Sequence, residues 1–189
     1  MKNIVIFASG AGTNAENIIK YFSNVKKAKV TLVLSNKSHA AVLERATRLG
    51  VDSFFFDRSQ FYETGEVLAL LLRKETDLIV LAGFLWLVPS DIITAYKRRI
   101  INIHPALLPD FGGKGMYGDS VHSAVLAAGS RESGITIHYV NEVYDSGDII
   151  FQAKCDIMPG DDVRMLAERV HTLEYEHYPR IIAGIIDKL

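Results

Sequence analysis

An α/β fold is predicted from three features: strands alternating with helices, a glycine turn after the first strand, and a change of pattern in the second half. The expected architecture is a Rossmann-like, mostly parallel twisted sheet with helices on both faces and C-terminal strands that are partly antiparallel. The first feature begins at Asn3 to Ala8, a continuous apolar run of the kind that suits a parallel strand covered on both faces. The second is Ser9-Gly10-Ala11-Gly12-Thr13-Asn14, which separates that run from a helical stretch. The third is a pair of alternating runs late in the chain, joined by a short polar loop that suits a hairpin.

The elements follow in order. After the turn, a helix is expected over Ala15 to Phe22, then a strand over Lys29 to Leu34 and a helix near Ala40 to Leu49. Val51 to Phe56 is the third strand. Gln60 to Lys74 reads as one long amphipathic helix with Leu68, Leu71 and Leu72 inward. Asp77 to Ala82 is the fourth strand, and Ile100 to His104 ends another short buried one. Asp110 to Asp119 is a loop rich in glycine, and Ser120 to Ala128 a helix. Gly134 to Val140 and Ile149 to Ile157 are the late strands, joined by Asn141 to Asp148. Asp161 and Asp162 suit a helix N-terminus, where the macrodipole favours negative charge. That helix runs through Val163, Leu166, Val170 and Leu173, and Pro179 is expected to kink or restart it before Ile181 to Leu189.

With 189 residues, 49% of them hydrophobic, the chain can bury the core of one domain. Its net charge of -1 argues against a broad nucleic-acid-binding face. Cys155 is the only cysteine, so an internal disulfide and a multi-cysteine metal site are both excluded, which fits a reducing compartment. The apolar runs at the N-terminus and over Leu78 to Val88 are too short for a signal peptide or a membrane span. The expectation is a soluble cytoplasmic protein.

Three stretches carry chemistry. In Ile100-Ile101-Asn102-Ile103-His104-Pro105, Asn102 and His104 are two apart and share a strand face. They are either a hydrogen-bonded pair capping the strand or an amide donor and a titratable base at a catalytic centre. The turn Gly10 to Ala15 fits Gly-x-Gly-x-x-Ala between strand and helix, either a tight turn alone or an anion cradle at the helix end. A dinucleotide would call for an acid at the end of the second strand, and Val33-Leu34-Ser35-Asn36-Lys37 has none, so a single phosphate near Gly12, Thr13 and Asn14 is the better match. Asp145, before Ser146 and Gly147, either holds its own turn or reaches inward to orient His104 and raise its pKa. His138 shares a strand face with Thr136, as a satisfied core histidine or as support for the site.

Asn-Ile-His-Pro-Ala-Leu-Leu-Pro, the early Ser-Gly-x-Gly-Thr-Asn turn and the late Asp-Ser-Gly loop together resemble the phosphoribosylglycinamide formyltransferases. The resemblance runs from Lys2 to about Ile185, supported by Leu34-Ser35-Asn36-Lys37, Leu81-Ala82-Gly83-Phe84 and Asp148-Ile149-Ile150. It implies transfer of the formyl group of 10-formyltetrahydrofolate to the amine of glycinamide ribonucleotide in purine biosynthesis. It further implies a catalytic trio of Asn102, His104 and Asp145, and ribonucleotide contacts at Gly12, Thr13, Asn14 and Glu174. The implied folate contacts are Leu85, Trp86, Leu87, Val88, Asn102, Asn141 and Asp145, with Arg58 as a further candidate. Some relatives carry arginine at the position of Trp86. No metal is implied, the partners are small molecules, and the protein is expected to be a monomer or homodimer. Residues 1–189 form a single domain on this reading, with 1–100 as the phosphate-binding half and 101–189 as the catalytic and folate half. Two related activities would call for more chain, methionyl-tRNA formyl transfer at the C-terminal side and formyltetrahydrofolate hydrolysis at the N-terminal side. A nicotinamide dehydrogenase or a bare nucleotide-binding module could also use the glycine turn. The missing acid argues against the first, and the Asn-His-Asp set against the second.

Overall fold

Seven strands form one sheet in the computed structural model, which describes residues 1–189. They are β1 (Lys2–Phe7), β2 (Ala28–Ser35), β3 (Asp52–Phe55), β4 (Leu78–Leu81), β5 (Ile100–His104), β6 (Glu132–Tyr139) and β7 (Ile149–Asp156). Across the sheet the order is β3-β2-β1-β4-β5-β6-β7. The pairs from β3 to β5 are parallel, whereas β5–β6 and β6–β7 are antiparallel. The predicted mixed sheet is therefore present. Alternation explains why it is covered on both sides: Ile4, Ile6 and Ala8 join one core, while Val5 and Phe7 join the other.

Helices α1 (Thr13–Val25), α2 (Ala41–Arg48), α6 (Asp119–Ala127) and α7 (Val163–Ile186) cover the first face. Helices α3 (Arg58–Tyr62), α4 (Glu66–Arg73) and α5 (Ser90–Ala95) cover the second. Strand order reverses between β1 and β4, and in open α/β sheets ligands bind in the crevice beyond the carboxyl ends at such a point. The glycine turn follows β1, and the segment from Gly83 follows β4, so both border that crevice.

Four expectations are corrected. The helix expected over Gln60 to Lys74 is two helices, because Gly65 adopts φ 69° and breaks the first run, while Asp57 and Gln60 form a capping box that starts α3 early. Leu72, expected inward, is 59% exposed, whereas Leu71 is fully buried. Helix α5 begins after Pro89 in a stretch with too little periodicity to reveal it. Pro179 does not end its helix: α7 runs unbroken from Val163 to Ile186. Tyr178, Ile182 and Ile186 are buried there, and that packing outweighs the loss of one helical hydrogen bond. The Tyr178 hydroxyl also donates to the Leu81 carbonyl at 2.9 Å, tying α7 to the end of β4.

Candidate active site

Asn102 and His104 lie on the same face of β5, as their spacing predicts. Antiparallel pairing sets His138 of β6 opposite Asn102, and Thr136 opposite His104. Asp145 reaches this face from the loop after β6, which folds back across β5. Its Oδ2 lies 3.5 Å from His104 Nδ1 and accepts from the Gly113 N–H at 3.0 Å. Its Oδ1 accepts from Asn102 Nδ2 at 3.4 Å and lies 3.6 Å from His138 Nε2. Asp145 thus touches both of the residues it was expected to act with.

Local geometry explains how the loop gets there. Asp145 has φ 52°, in the left-handed region that Asp tolerates better than most residues. Gly147 passes so close to β6 that an added Cβ would sit 1.8 Å from the Tyr139 carbonyl oxygen. The Asn141 side chain accepts from the Val143 N–H at 3.0 Å and the Ser146 hydroxyl at 3.2 Å. The Asn141 side chain thereby holds the Asp145 loop in shape.

His104 is buried, and its Nε2–H donates to the Phe111 carbonyl at 2.8 Å. Nδ1, the nitrogen that takes a second proton, faces Asp145. Burial pushes the imidazole pKa below its usual value, and the Asp145 charge and the Phe111 carbonyl oppose that only in part. Asp145 thus acts upward on His104 as expected, but burial outweighs it and the net shift is downward. On the Asp145 carboxyl burial acts in the opposite sense, upward. That push is outweighed by the neighbouring His138, the charge of His104 and the Gly113 N–H, so the carboxyl pKa lies below its ordinary value.

His138 combines both roles open to it. Its Nδ1–H donates to the Tyr139 carbonyl at 2.8 Å, and its Nε2 lies 3.2 Å from Asn102 Nδ2. Thr136 escaped the sequence reading as a support. Its hydroxyl donates to the Ala106 carbonyl at 2.7 Å and accepts from the Leu108 N–H at 2.9 Å, pinning the turn after His104. Gln152 adds bonds to Thr136 and to the Leu108 carbonyl, both 2.9 Å. The available signal was the shared face of Thr136 and His138.

At the other side of the crevice, Gly12 precedes α1 with φ 76° and no side chain caps the helix. The first bond of the helix runs from the Glu16 N–H to the Gly12 carbonyl, so the N–H groups of Thr13, Asn14 and Ala15 have no protein acceptor. Glycine is also required there by packing: an added Cβ would meet Val42 at 2.3 Å, and the Val42 Cα at 2.8 Å. Gly12→Ala is therefore expected to lower stability by about 1–3 kcal/mol in chemical denaturation, whereas Gly10→Ala, with open space around it, leaves stability nearly unchanged. The Asn14 amide donates to Glu174 Oε2 at 2.8 Å, joining α1 to α7. Glu174 is buried and acts electrostatically on His104, which links the two sides of the crevice.

The segment Leu85 to Val88 lies beside an aromatic wall. Trp86 packs on Phe56, Phe61, Tyr62 and Phe84, and the Arg58 guanidinium sits 4.9 Å from the Tyr62 ring and 5.9 Å from the Trp86 ring. Arg58 is thus brought to the predicted segment. Burial, and after it Tyr144 of the Asp145 loop, raise the Tyr62 pKa, which places that loop close to the wall. Within Leu85 to Val88, the Leu85 N–H donates to Ser9 Oγ and the Leu87 carbonyl accepts from the Tyr62 hydroxyl. The remaining backbone groups of this segment have no internal partner.

A doubly wound sheet with an antiparallel end thus brings an uncapped glycine turn and an Asn-His-Asp cluster to the carboxyl ends of its strands. The formyl transferase family model matches residues 2–182, and the chain belongs to that family. It is 37% identical over 99% of its length to the chloroplastic phosphoribosylglycinamide formyltransferase of Arabidopsis thaliana, and spans 66% of that protein, just under two thirds. With the phosphoribosylglycinamide formyltransferase of Bacillus subtilis the identity is 35% over 98% of the chain and 95% of the relative. The crystal structure of glycinamide ribonucleotide transformylase 1 from Symbiobacterium toebii superposes with a TM-score of 0.91 at 33% identity, covering 100% of this chain and 89% of that one.

Proposed function

We propose that the chain transfers the formyl group of 10-formyltetrahydrofolate to the primary amine of glycinamide ribonucleotide, a step of purine biosynthesis. The observation that carries this reading is the convergence of Asn102, His104 and Asp145 on one face of β5. The substrate is that of the formyltransferases to which the chain is similar.

Formyl transfer to an amine forms a new C–N bond and places negative charge on the formyl oxygen before the folate nitrogen departs. Asn102 supplies one donor to that oxygen, and a charged His104 supplies a second donor and the proton for the departing nitrogen, the proton shed by the attacking amine returning the imidazole to its charged form. Asp145 faces Nδ1 and stabilises the charged imidazole. The His104 Nε2–H rests on the carbonyl of Phe111, a residue at φ 56°, which the left-handed region suits poorly. The substrate oxygen takes the place of that carbonyl.

The unpartnered N–H groups of Thr13 and Asn14, at the positive end of α1 behind Gly12, receive the ribonucleotide phosphate. The free backbone groups of Leu85 to Val88 suit the hydrogen-bonding edge of a folate heterocycle, with Trp86 and Arg58 beside it. Cys155 as the only thiol fits a reducing, cytoplasmic setting.

The test is a panel of formyl acceptors at fixed 10-formyltetrahydrofolate. Glycinamide ribonucleotide is expected to be formylated at least about tenfold more efficiently than the riboside lacking phosphate, since a charge-assisted contact is lost, and charged Met-tRNA not at all. Equal use of ribonucleotide and riboside would remove the glycine turn from the substrate site.

A further inference from the structure

Residues Tyr96 to Arg99 form the tight turn between α5 and β5, closed by the Arg99 N–H donating to the Tyr96 carbonyl at 2.8 Å. Its third residue, Arg98, has φ 57°, a left-handed conformation that glycine adopts freely and a long side chain adopts at a steric cost. The Arg98 side chain crosses from this turn to the hairpin between β6 and β7. A guanidinium nitrogen donates to Asp148 Oδ2 at 2.8 Å, and the guanidinium carbon lies 4.4 Å from the centre of the Tyr139 ring. Tyr139 and Asp148 are the two feet of the loop that carries Asp145. The Tyr139 N–H donates to the Asp148 carbonyl at 2.9 Å, so the feet are joined to each other as well.

We propose that Arg98 is a positioning residue for the transfer reaction, a clamp across both feet of the loop that holds the Asp145 carboxylate against His104. The inference rests on the reading of His104 and Asp145 given above. The loop is demanding in shape: Asp145 itself sits at φ 52°, and Gly147 has no room for a Cβ beside the Tyr139 carbonyl. A glycine at position 98 would build the same turn without strain, but it could not reach the hairpin. Strain of this kind persists where the surroundings hold it, and here the side chain that causes it is the one that spans the loop.

Exposure sets the size of the effect. The Arg98 and Asp148 side chains are 62% and 75% exposed, so the ion pair and the ring contact are each worth only a few fold in an equilibrium, about tenfold together. That bias acts on the fraction of molecules with Asp145 in place. Of the charged groups that face His104, His138 belongs to β6 and Glu174 to α7, so Asp145 alone moves with the loop. Loosening the loop removes the main upward influence on the His104 pKa, and the imidazole then loses its proton at lower pH.

Arg98→Gly separates the clamp from the strain. Relief of the left-handed arginine should leave the urea midpoint unchanged or raised. Over the same change kcat/KM for formyl transfer to glycinamide ribonucleotide is expected to fall about 3–10-fold. In an NMR titration of the unliganded protein the His104 pKa should drop by about 0.5–1 unit, the logarithm of that factor. Arg98→Lys keeps the charge and should restore part of both losses. Asp148→Asn, outside the strained turn, should move the His104 pKa in the same direction and add nothing when combined with Arg98→Gly. It carries the test alone if Arg98→Gly fails to fold. Stability and activity falling together while His104 titrates as in the wild type would overturn the proposal, as would an unmoved His104 pKa in Asp148→Asn. If the wild type formylates no ribonucleotide, the functional reading fails, and the His104 titrations still decide the clamp.

Discussion

Replacing Asn102 with alanine should cut turnover by about 10²–10³ while binding of both substrates stays within a few fold. The amide lies 3.2 Å from His138 and 3.4 Å from Asp145, so both of its N–H groups are held by long contacts in the free protein. Oxygen acquiring charge in the transition state is a better acceptor than either, and the amide is aimed where it forms. The variant should still fold. Asp145 keeps its bond from the Gly113 N–H, and Asn102 is only half-buried, so no large cavity is left. Steady-state kinetics with independent Kd values check this. A Kd for folate that rises in step with the loss of turnover would make Asn102 a binding residue.

The second large effect belongs to Asp145→Asn, which keeps size and removes charge. In the folded protein burial already lowers the His104 pKa, and the Asp145 carboxylate is the main group opposing that drop. An opposite charge at this range is worth about one to three pH units. Without it, His104 titrates lower still. Well above its pKa the charged fraction falls tenfold for each unit lost, so kcat/KM at pH 7.5 is expected to fall by about 10–10³. Part of the loss should return as the medium is acidified toward the new pKa. An NMR titration of His104 in both proteins follows the cause directly. An unmoved histidine pKa, with the fold intact, would show that Asp145 does not tune it.

Much of this was legible in the residues because periodicity and punctuation are local signals. The apolar run from Asn3, the Gly10 to Asn14 turn and the two-residue spacing of Asn102 and His104 each state a local geometry that packing did not override. What was hidden depended on partners distant in sequence. His138 joins the site because β6 pairs antiparallel to β5 in a register set by the whole sheet. Thr136 and Gln152 support the turn after His104 through the same pairing. The direction of the His104 pKa depended on how deeply it is buried, which no spacing reveals, and burial outweighed the neighbouring charge. Gly12 looked like a cradle for an anion, yet its closest constraint is Val42 on α2. The break at Gly65 was visible in the sequence, but the amphipathic leucines around it suggested one continuous helix.

The most direct test of the account is a single-turnover experiment with 10-formyltetrahydrofolate labelled at the formyl carbon, mixed with glycinamide ribonucleotide and either the wild-type protein or His104→Ala. Label is expected in formylglycinamide ribonucleotide with the wild type, and a transfer rate lower by about 10²–10⁴ with the variant, the range for loss of a positioned acid–base group. Label released as formate by the wild type, or transfer by His104→Ala at the wild-type rate, would contradict it.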